Sequence, residues 1–477
     1  MNVEELKPLD GPDEASAGES KPIPELIEKV AEPTKSVFAD FSTPPQPSVK
    51  RILFFVAPFL LLSLSAIFVA RQGAAVTPKA ARATIAVPPL TEKSEVRAIW
   101  IVRYTMTSPE AIRDSVKRAK AAGITDLVVQ VRGRGDAFYN SLWEPRAEEL
   151  AKQPKEFDPL TTMIEEAHAE GIRIHTWINA YVITLFDKLP KLPDHQVYTH
   201  PEWLMVPKPL AASLYNVDPR SSQYLAKLRA HVNANRNIIE GLFASPAHPE
   251  AKDHLLKVVM DVVSKYDIDG VHFDYIRYPN TSFDYNRTTL DRFRAALEPT
   301  LDLPSRVRLA QLAQRNPLVY ANTFANRYAD FLRDQINETE AAIYQAVKAR
   351  KPNLPVSAAV YSVPAEAKSY RLQDWQSWTA RGTLDIVCPM VYTPDTVLYR
   401  KQLSAAMRGA SGKMLWGGIG SWRQPVPETL DKIKVTRELG ANGFILFSYD
   451  SAVQFSTLNP QKDYLERLRE GLAMHAR

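Results

Sequence analysis

The chain has 477 residues, 45% of them hydrophobic and 24% charged, which is enough to bury a large core without help from metals or disulfides. Its net charge of +5 is small for this length, and no run of Lys and Arg interleaves with aromatics, so no nucleic-acid partner is expected. A single cysteine, Cys388, excludes an intramolecular disulfide and any zinc site built from several cysteines.

Residues 1–50 are rich in Pro, Glu, Ser and Lys. Segments such as Glu32-Pro33-Thr34 and Ser42-Thr43-Pro44-Pro45 do not support a regular element, so a disordered tail is expected. Ile52 to Ala70 is an uncharged apolar stretch with no polar face, bounded by Lys50-Arg51 and Arg71. About 20 such residues span a hydrocarbon core of about 30 Å. We expect a transmembrane helix over residues 51–71, with membrane lipid as the partner of residues 52–70. It starts too far from Met1 for an ordinary signal peptide and reads as an uncleaved anchor. Lys35, Lys50 and Arg51 on one side balance Arg71, Lys79 and Arg82 on the other, so flanking charge does not set orientation. Residues 72–94 are rich in Ala, Thr and Pro and read as a linker.

From residue 95 to 477 the texture is strand–helix alternation. The expected strands are Arg97–Arg103, Asp126–Arg132, Arg173–Tyr181, Gly270–Ile276, Pro355–Ser362, Asp385–Tyr392, Met414–Ser421 and Gly443–Asp450. Helical patterns include Pro109–Ala122, Pro159–Glu170, Thr323–Arg350 and Pro427–Leu439, and the pairs Ala122-Gly123, Glu170-Gly171 and Leu439-Gly440 read as helix stops. Eight βα units predict an α/β fold, a (β/α)8 TIM barrel, with long βα loops after strands 3 and 4 (about residues 182–250 and 277–322). The alternative, a doubly wound open sheet, usually has a Gly-rich phosphate loop after its first strand, and Arg103-Tyr104-Thr105-Met106 is not one.

A barrel places its chemistry at the C-terminal ends of its strands. Strand 2 ends in Gln130-Val131-Arg132, followed by Asp136; strand 3 ends in His175-Thr176-Trp177-Ile178-Asn179. Strand 4 ends in His272-Phe273-Asp274, followed by Arg277 and Tyr278. Alternation puts His272 with Asp274, Gln130 with Arg132, and His175 with Trp177 and Asn179 on the barrel-interior face. Buried polar groups are costly unless bonded. They form either a satisfied plug or a site, and an acid at a strand mouth favours the site.

Cleavage of a glycosidic bond needs two carboxylates, one to protonate the leaving oxygen and one to attack the sugar or activate water. Asp274 is the expected nucleophile or base, kept ionised by His272, Arg132 and Arg277. Asp395 after strand 6, Glu366 after strand 5 and Asp450 at the end of strand 8 are alternative partners. Each could equally be a helix cap or a surface charge. Sugar rings stack on aromatic faces. Trp143, Trp177, Tyr181, Tyr278, Tyr361, Tyr392, Trp422 and Tyr449 all fall near predicted strand ends. Arg132, Asp136, Asn179, His272, Arg277 and Asp450 complete the candidate substrate-binding set. There is no His-Glu-x-x-His, EF-hand loop or G-x-S-x-G elbow. No metal and no cofactor are expected, and His195, His200 and His248 read as ordinary loop residues.

The stretch Asp269-Gly270-Val271-His272-Phe273-Asp274-Tyr275-Ile276-Arg277-Tyr278-Pro279 resembles the hallmark of the glycosyl hydrolase-like 10 family. Arg97-Ala98-Ile99-Trp100, Gln130-Val131-Arg132 with Gly135-Asp136-Ala137-Phe138-Tyr139, His175-Thr176-Trp177-Ile178-Asn179 and Pro389-Met390-Val391-Tyr392 resemble its first, second, third and sixth strands. The resemblance covers about residues 95–455. It implies a (β/α)8 barrel and bacterial envelope glycosidase activity, with glycan strands stripped of their peptides as one substrate type. The chain departs from the family where Tyr275 replaces a frequent second Asp, and at Tyr361-Ser362-Val363-Pro364 after strand 5. The chitinase acid position falls on Ile276, which disfavours a substrate-assisted chitinase mechanism. The expected protein is a membrane-anchored glycosidase with its barrel in the periplasm or extracellular space and residues 1–50 in the cytoplasm. Its partner is a polysaccharide or glycan strand. The alternative is a non-catalytic glycan-binding barrel.

Overall fold

The computed structural model describes residues 95–185, 188–453 and 463–474. The tail, the apolar stretch and the linker expected from the sequence lie outside the described residues. Among the described residues no helix is long and apolar enough to cross a membrane.

Eight parallel strands close into a barrel in chain order: β1 (Val96–Ile101), β2 (Asp126–Arg132), β3 (Arg173–Asn179), β4 (Gly270–Asp274), β5 (Val356–Tyr361), β6 (Ile386–Val391), β7 (Met414–Gly420) and β8 (Gly443–Phe447). The helices packed outside are α1 (Pro109–Ala121), α2 (Pro159–Ala169), α3 (Pro249–Lys265), α4 (Ala325–Arg350), α5 (Trp375–Arg381), α6 (Thr396–Gly409), α7 (Val426–Glu438) and α8 (Tyr464–Met474). Local chemistry sets their ends. Ser108 caps α1 by accepting from Ala111 N, Asp158 caps α2 by accepting from Leu160 N and Thr161 N, and each helix opens on a proline. Gly123, Gly171 and Gly440 take positive φ just past α1, α2 and α7, as a helix stop requires.

Alternation sorts the core into two. Ile99, Ile101, Val129, Val131, Ile178, Val271 and Phe273 join the large cluster under the helices. Trp100, Val128, Trp177, Ala359, Cys388, Trp416, Ile445 and Phe447 form a second cluster inside the barrel. The barrel is therefore a packed core rather than a pore. Close packing inside it explains Gly270, where a Cβ would come within 2.0 Å of His175 Nδ1.

Several predicted strands overrun by one or two residues. β4 stops at Asp274 because Tyr275 turns the chain with φ 52°, and β1 stops at Ile101 because Arg103–Thr107 forms a 3-10 helix. The connections after β3 and β4 contain short helices, including Lys208–Leu214, Ser222–Ala234, Arg287–Leu297 and Leu303–Ala313. Asp284 ties the two connections together. It accepts from Val206 N at 2.8 Å, Asn286 N at 2.9 Å and Thr289 Oγ1 at 2.9 Å.

Candidate active site

The polar residues inside the barrel stack from the N-terminal ends of the strands to the C-terminal ends. At the bottom, Asp126 accepts from Arg173 Nε at 2.6 Å and contacts His175 Nε2 at 3.0 Å. Burial raises its pKa, but the hydrogen bonds and charge of these two partners outweigh burial and hold it at about 2. In the middle, Trp100 Nε1 donates to His272 Nε2 at 3.1 Å. Nε2 is thus an acceptor, and Nδ1–H donates to Ser357 Oγ at 2.9 Å. Burial, with His175 nearby, lowers the His272 pKa to about 3, so the ring is neutral. His272 supports the floor of the site and has both ring nitrogens occupied.

Asp274 ends β4 beside Asn179, its register partner on β3. It is 4% exposed, and its Oδ1 accepts from Tyr275 N at 2.7 Å. Burial raises its pKa to about 6 against the opposing pull of Arg277. This corrects the expectation of a carboxylate held ionised by positive neighbours: desolvation exceeds their charge.

Arg277 is 1% exposed. Its Nη2 donates to Glu240 Oε1 at 2.8 Å, and its guanidinium sits 4.6 Å from the Tyr275 ring centre and 5.4 Å from that of Tyr361. Glu240 was not among the residues singled out from the sequence, because it lies in the long connection after β3. The chain returns there: Val182 pairs with Phe243, and Leu204 with Ala244. Gly241 permits the approach, since a Cβ there would lie 1.8 Å from Thr184 O. The run Ile238-Ile239-Glu240-Gly241-Leu242-Phe243, an acid within an apolar stretch before a glycine, was the available signal. Burial raises the Glu240 pKa, but Arg277 and Arg371 reverse that and leave it lowered. The charge of Glu240 adds to the rise of Asp274, while Arg277 and Arg371 favour the ionised form of Glu240 itself.

The other proposed carboxylates have different places. Asp395 Oδ1 accepts from Val397 N at 2.7 Å and Leu398 N at 3.1 Å and caps α6. Asp450 accepts from Val102 N at 2.8 Å and Thr105 Oγ1 at 2.7 Å, which pins the turn after β1. Glu366 is exposed in the first turn of the short helix Pro364–Tyr370, close enough to Tyr361 to act on it electrostatically.

Arg132 forms a buried pair with Glu144 at 2.7 Å and donates to the carbonyls of Asn179 and Ala180. It thereby braces the ends of β2 and β3. Asn179 donates to Gly133 O and accepts from Trp177 Nε1, both at 2.8 Å. Asp136 Oδ1 accepts from Arg134 N at 2.8 Å, beside a water-sized hollow of about 30 Å³. Tyr392 lies edge-on to Trp100 and Trp422 and near Phe447, and its hydroxyl senses the charge of Asp274. Tyr392 and Trp422 therefore give the C-terminal mouth an aromatic wall, and Tyr361 at the end of β5 packs against Arg277 and Arg371. Tyr278 is fully buried, and among the described residues its hydroxyl has no hydrogen-bond partner.

Comparison with known proteins agrees with the barrel fold. The chain is 27% identical over 331 residues to the glycosyl hydrolase YngK of Bacillus subtilis, covering 62% of this chain and 54% of the relative. It is 24% identical over 317 residues to the glycosyl hydrolase DigH of Escherichia coli K12, covering 60% and 58%. The matched part thus spans little more than half the length of these curated relatives. The glycoside hydrolase domain of PgaB from Bordetella bronchiseptica shares the fold, with a TM-score of 0.51 at 13% identity over 79% of this chain and 98% of that domain. Residues 95–413 match the glycosyl hydrolase-like 10 family. On that match, with its eight-stranded barrel, the chain belongs to the glycosyl hydrolase-like 10 family.

Proposed function

We propose that the barrel hydrolyses glycosidic bonds in an envelope or extracellular polysaccharide, with peptide-free peptidoglycan glycan strands as the first substrate to test. One observation carries the reading: two buried carboxyls at the strand-4 mouth have opposite tendencies, Asp274 raised to about 6 and Glu240 lowered beside Arg277. Environments that push two acids apart divide the roles of proton donor and anion. Asp274 protonates the leaving oxygen, and Glu240 serves as base or nucleophile on the opposite side of the scissile bond. Tyr361, Tyr392 and Trp422 offer the ring faces on which sugars stack. In the same reading, residues 52–70 anchor the chain in a membrane and the barrel faces away from the cytoplasm.

The test incubates the full chain with amidase-treated sacculi and measures soluble oligosaccharides. Wild type should release them, and Asp274→Asn should lose release while still sedimenting with the glycan. The second reading is a glycan-binding barrel without catalysis, favoured by the commitment of Glu240 to Arg277. It prevails if wild type and Asp274→Asn both bind and neither cleaves.

A further inference from the structure

The connection after β3 holds a cluster that the barrel mouth does not use. His200 and Glu202 lie at a single 3-10 turn, Pro201–Trp203, and Glu250 lies in the first turn of α3. One ligand-capable atom from each of the three lies within 4.8 Å of the others. His200 Nδ1 is 3.1 Å from Glu202 Oε1. A metal holding nitrogen and oxygen donors at about 2.0–2.2 Å sets neighbouring donors roughly 3–3.5 Å apart. That spacing already matches one edge of a coordination shell. Trp203 orders two of the donors: its ring stacks on His200 at 3.9 Å and 6°, and its Nε1 donates to Glu250 Oε2 at 3.2 Å.

His248, only 8% exposed, sits at the N-cap of α3 beside the cluster without joining the three donors, and among the described residues its Nδ1 has no hydrogen-bond partner. Its ring centre is 6.2 Å from that of Trp203, and it senses the charges of Glu250, Glu202 and His200. His200 and Glu250 also line an open hollow of about 580 Å³, together with Trp143, Asp253 and Lys257. Solvent and ions can therefore reach the donors.

We propose that His200, Glu202 and Glu250 bind one divalent transition-metal ion of the zinc class. One imidazole and two carboxylates suit such an ion better than magnesium or calcium, which prefer all-oxygen shells. The ion would join the loop at residues 200–202 to the start of α3. Those two points bracket the segment that carries Glu240, so its role is to stiffen that connection. The sequence had suggested only ordinary loop histidines here.

The test strips the full chain with a chelator, titrates it with zinc chloride by calorimetry at neutral pH, and follows thermal unfolding in parallel. The expected result is saturable binding of one ion per chain and a Tm that rises with zinc concentration, because the ion binds only the folded chain. Glu250→Gln and Glu202→Gln should each weaken binding by more than about tenfold, since each removes a charged donor. Both keep the side-chain shape and so keep the test valid should His200→Ala fail to fold. The proposal is overturned if the stripped chain shows no saturable heat and no Tm shift. It is equally overturned if affinity is unchanged in both glutamine variants.

Discussion

Replacing Arg277 by methionine tests the electrostatics at the strand-4 mouth most directly. Glu240 is 7% exposed, bonded to Arg277 through Oε1, with its Oε2 buried and unbonded. Removing the guanidinium leaves a buried charge without its main partner, a change that costs about 3–5 kcal/mol in comparable pairs. The orphaned carboxyl can relieve part of that cost by taking up a proton, since burial then raises its pKa without the opposing charge of Arg277.

The sign of the pH dependence follows. In wild type the lowered Glu240 pKa contributes stability above its unfolded value of 4.5, and that stability is lost as pH falls. In the variant the raised pKa reverses this, so stability falls as pH rises above 4.5. The gap between the two proteins, read from urea unfolding at pH 4.5 and pH 7, should therefore widen with pH. Adding Glu240→Gln to Arg277→Met should recover most of the loss at pH 7. A gap that is equal at both pH values, or below about 1 kcal/mol at pH 7, would refute a buried, charge-dependent pair.

Further outcomes follow from other contacts. If Asp274 donates the proton, kcat/KM should fall as pH rises through about 6; a profile flat across this range counts against the assignment. Asp395→Ala should cost about 0.5–2 kcal/mol in chemical denaturation through loss of the α6 cap while leaving glycan release close to wild type, and a collapse of activity without loss of stability would return Asp395 to the reaction. Gly270→Ala forces a methyl against His175 Nδ1 inside the barrel and should destabilise by about 1–3 kcal/mol in a urea titration; unchanged stability would mean that β3 and β4 separate at little cost.

The barrel was legible because its signals are local. Helix stops at Gly123, Gly171 and Gly440 and the apolar–polar alternation of the strands recur unit after unit, and they placed His272 and Asp274 inside the barrel. The site was legible only where it lies on a strand. Glu240 reaches Arg277 through the pairing of Val182 with Phe243, a contact between distant parts of one connection that no periodicity announces. The ionisation of Asp274 was misjudged for a related reason. Arg277 is visible in the sequence as a nearby charge, but the depth of burial that overrides it is a property of the whole mouth. Asp395, ahead of Thr396-Val397-Leu398, carried a cap signal that was legible from the start.

The arrangement inside the barrel also explains why the chemistry belongs at its top. Asp126 is balanced by Arg173 and His175 and stays ionised down to about pH 2, while His272 stays neutral above about pH 3, fixed between Trp100 and Ser357. Neither changes charge near neutrality, so the two lower layers serve as a rigid polar floor. Above them burial raises Asp274 to about 6, at the layer that opens toward the aromatic wall, and raises Asp450 at the end of β8 to about 6 as well. A floor that cannot change charge is what lets the acid above it do so without disturbing the barrel. Substitutions at Asp126 or His272 should consequently change stability more than they move the pH limb of any activity, whereas changes at Arg277 or Glu240 should move both.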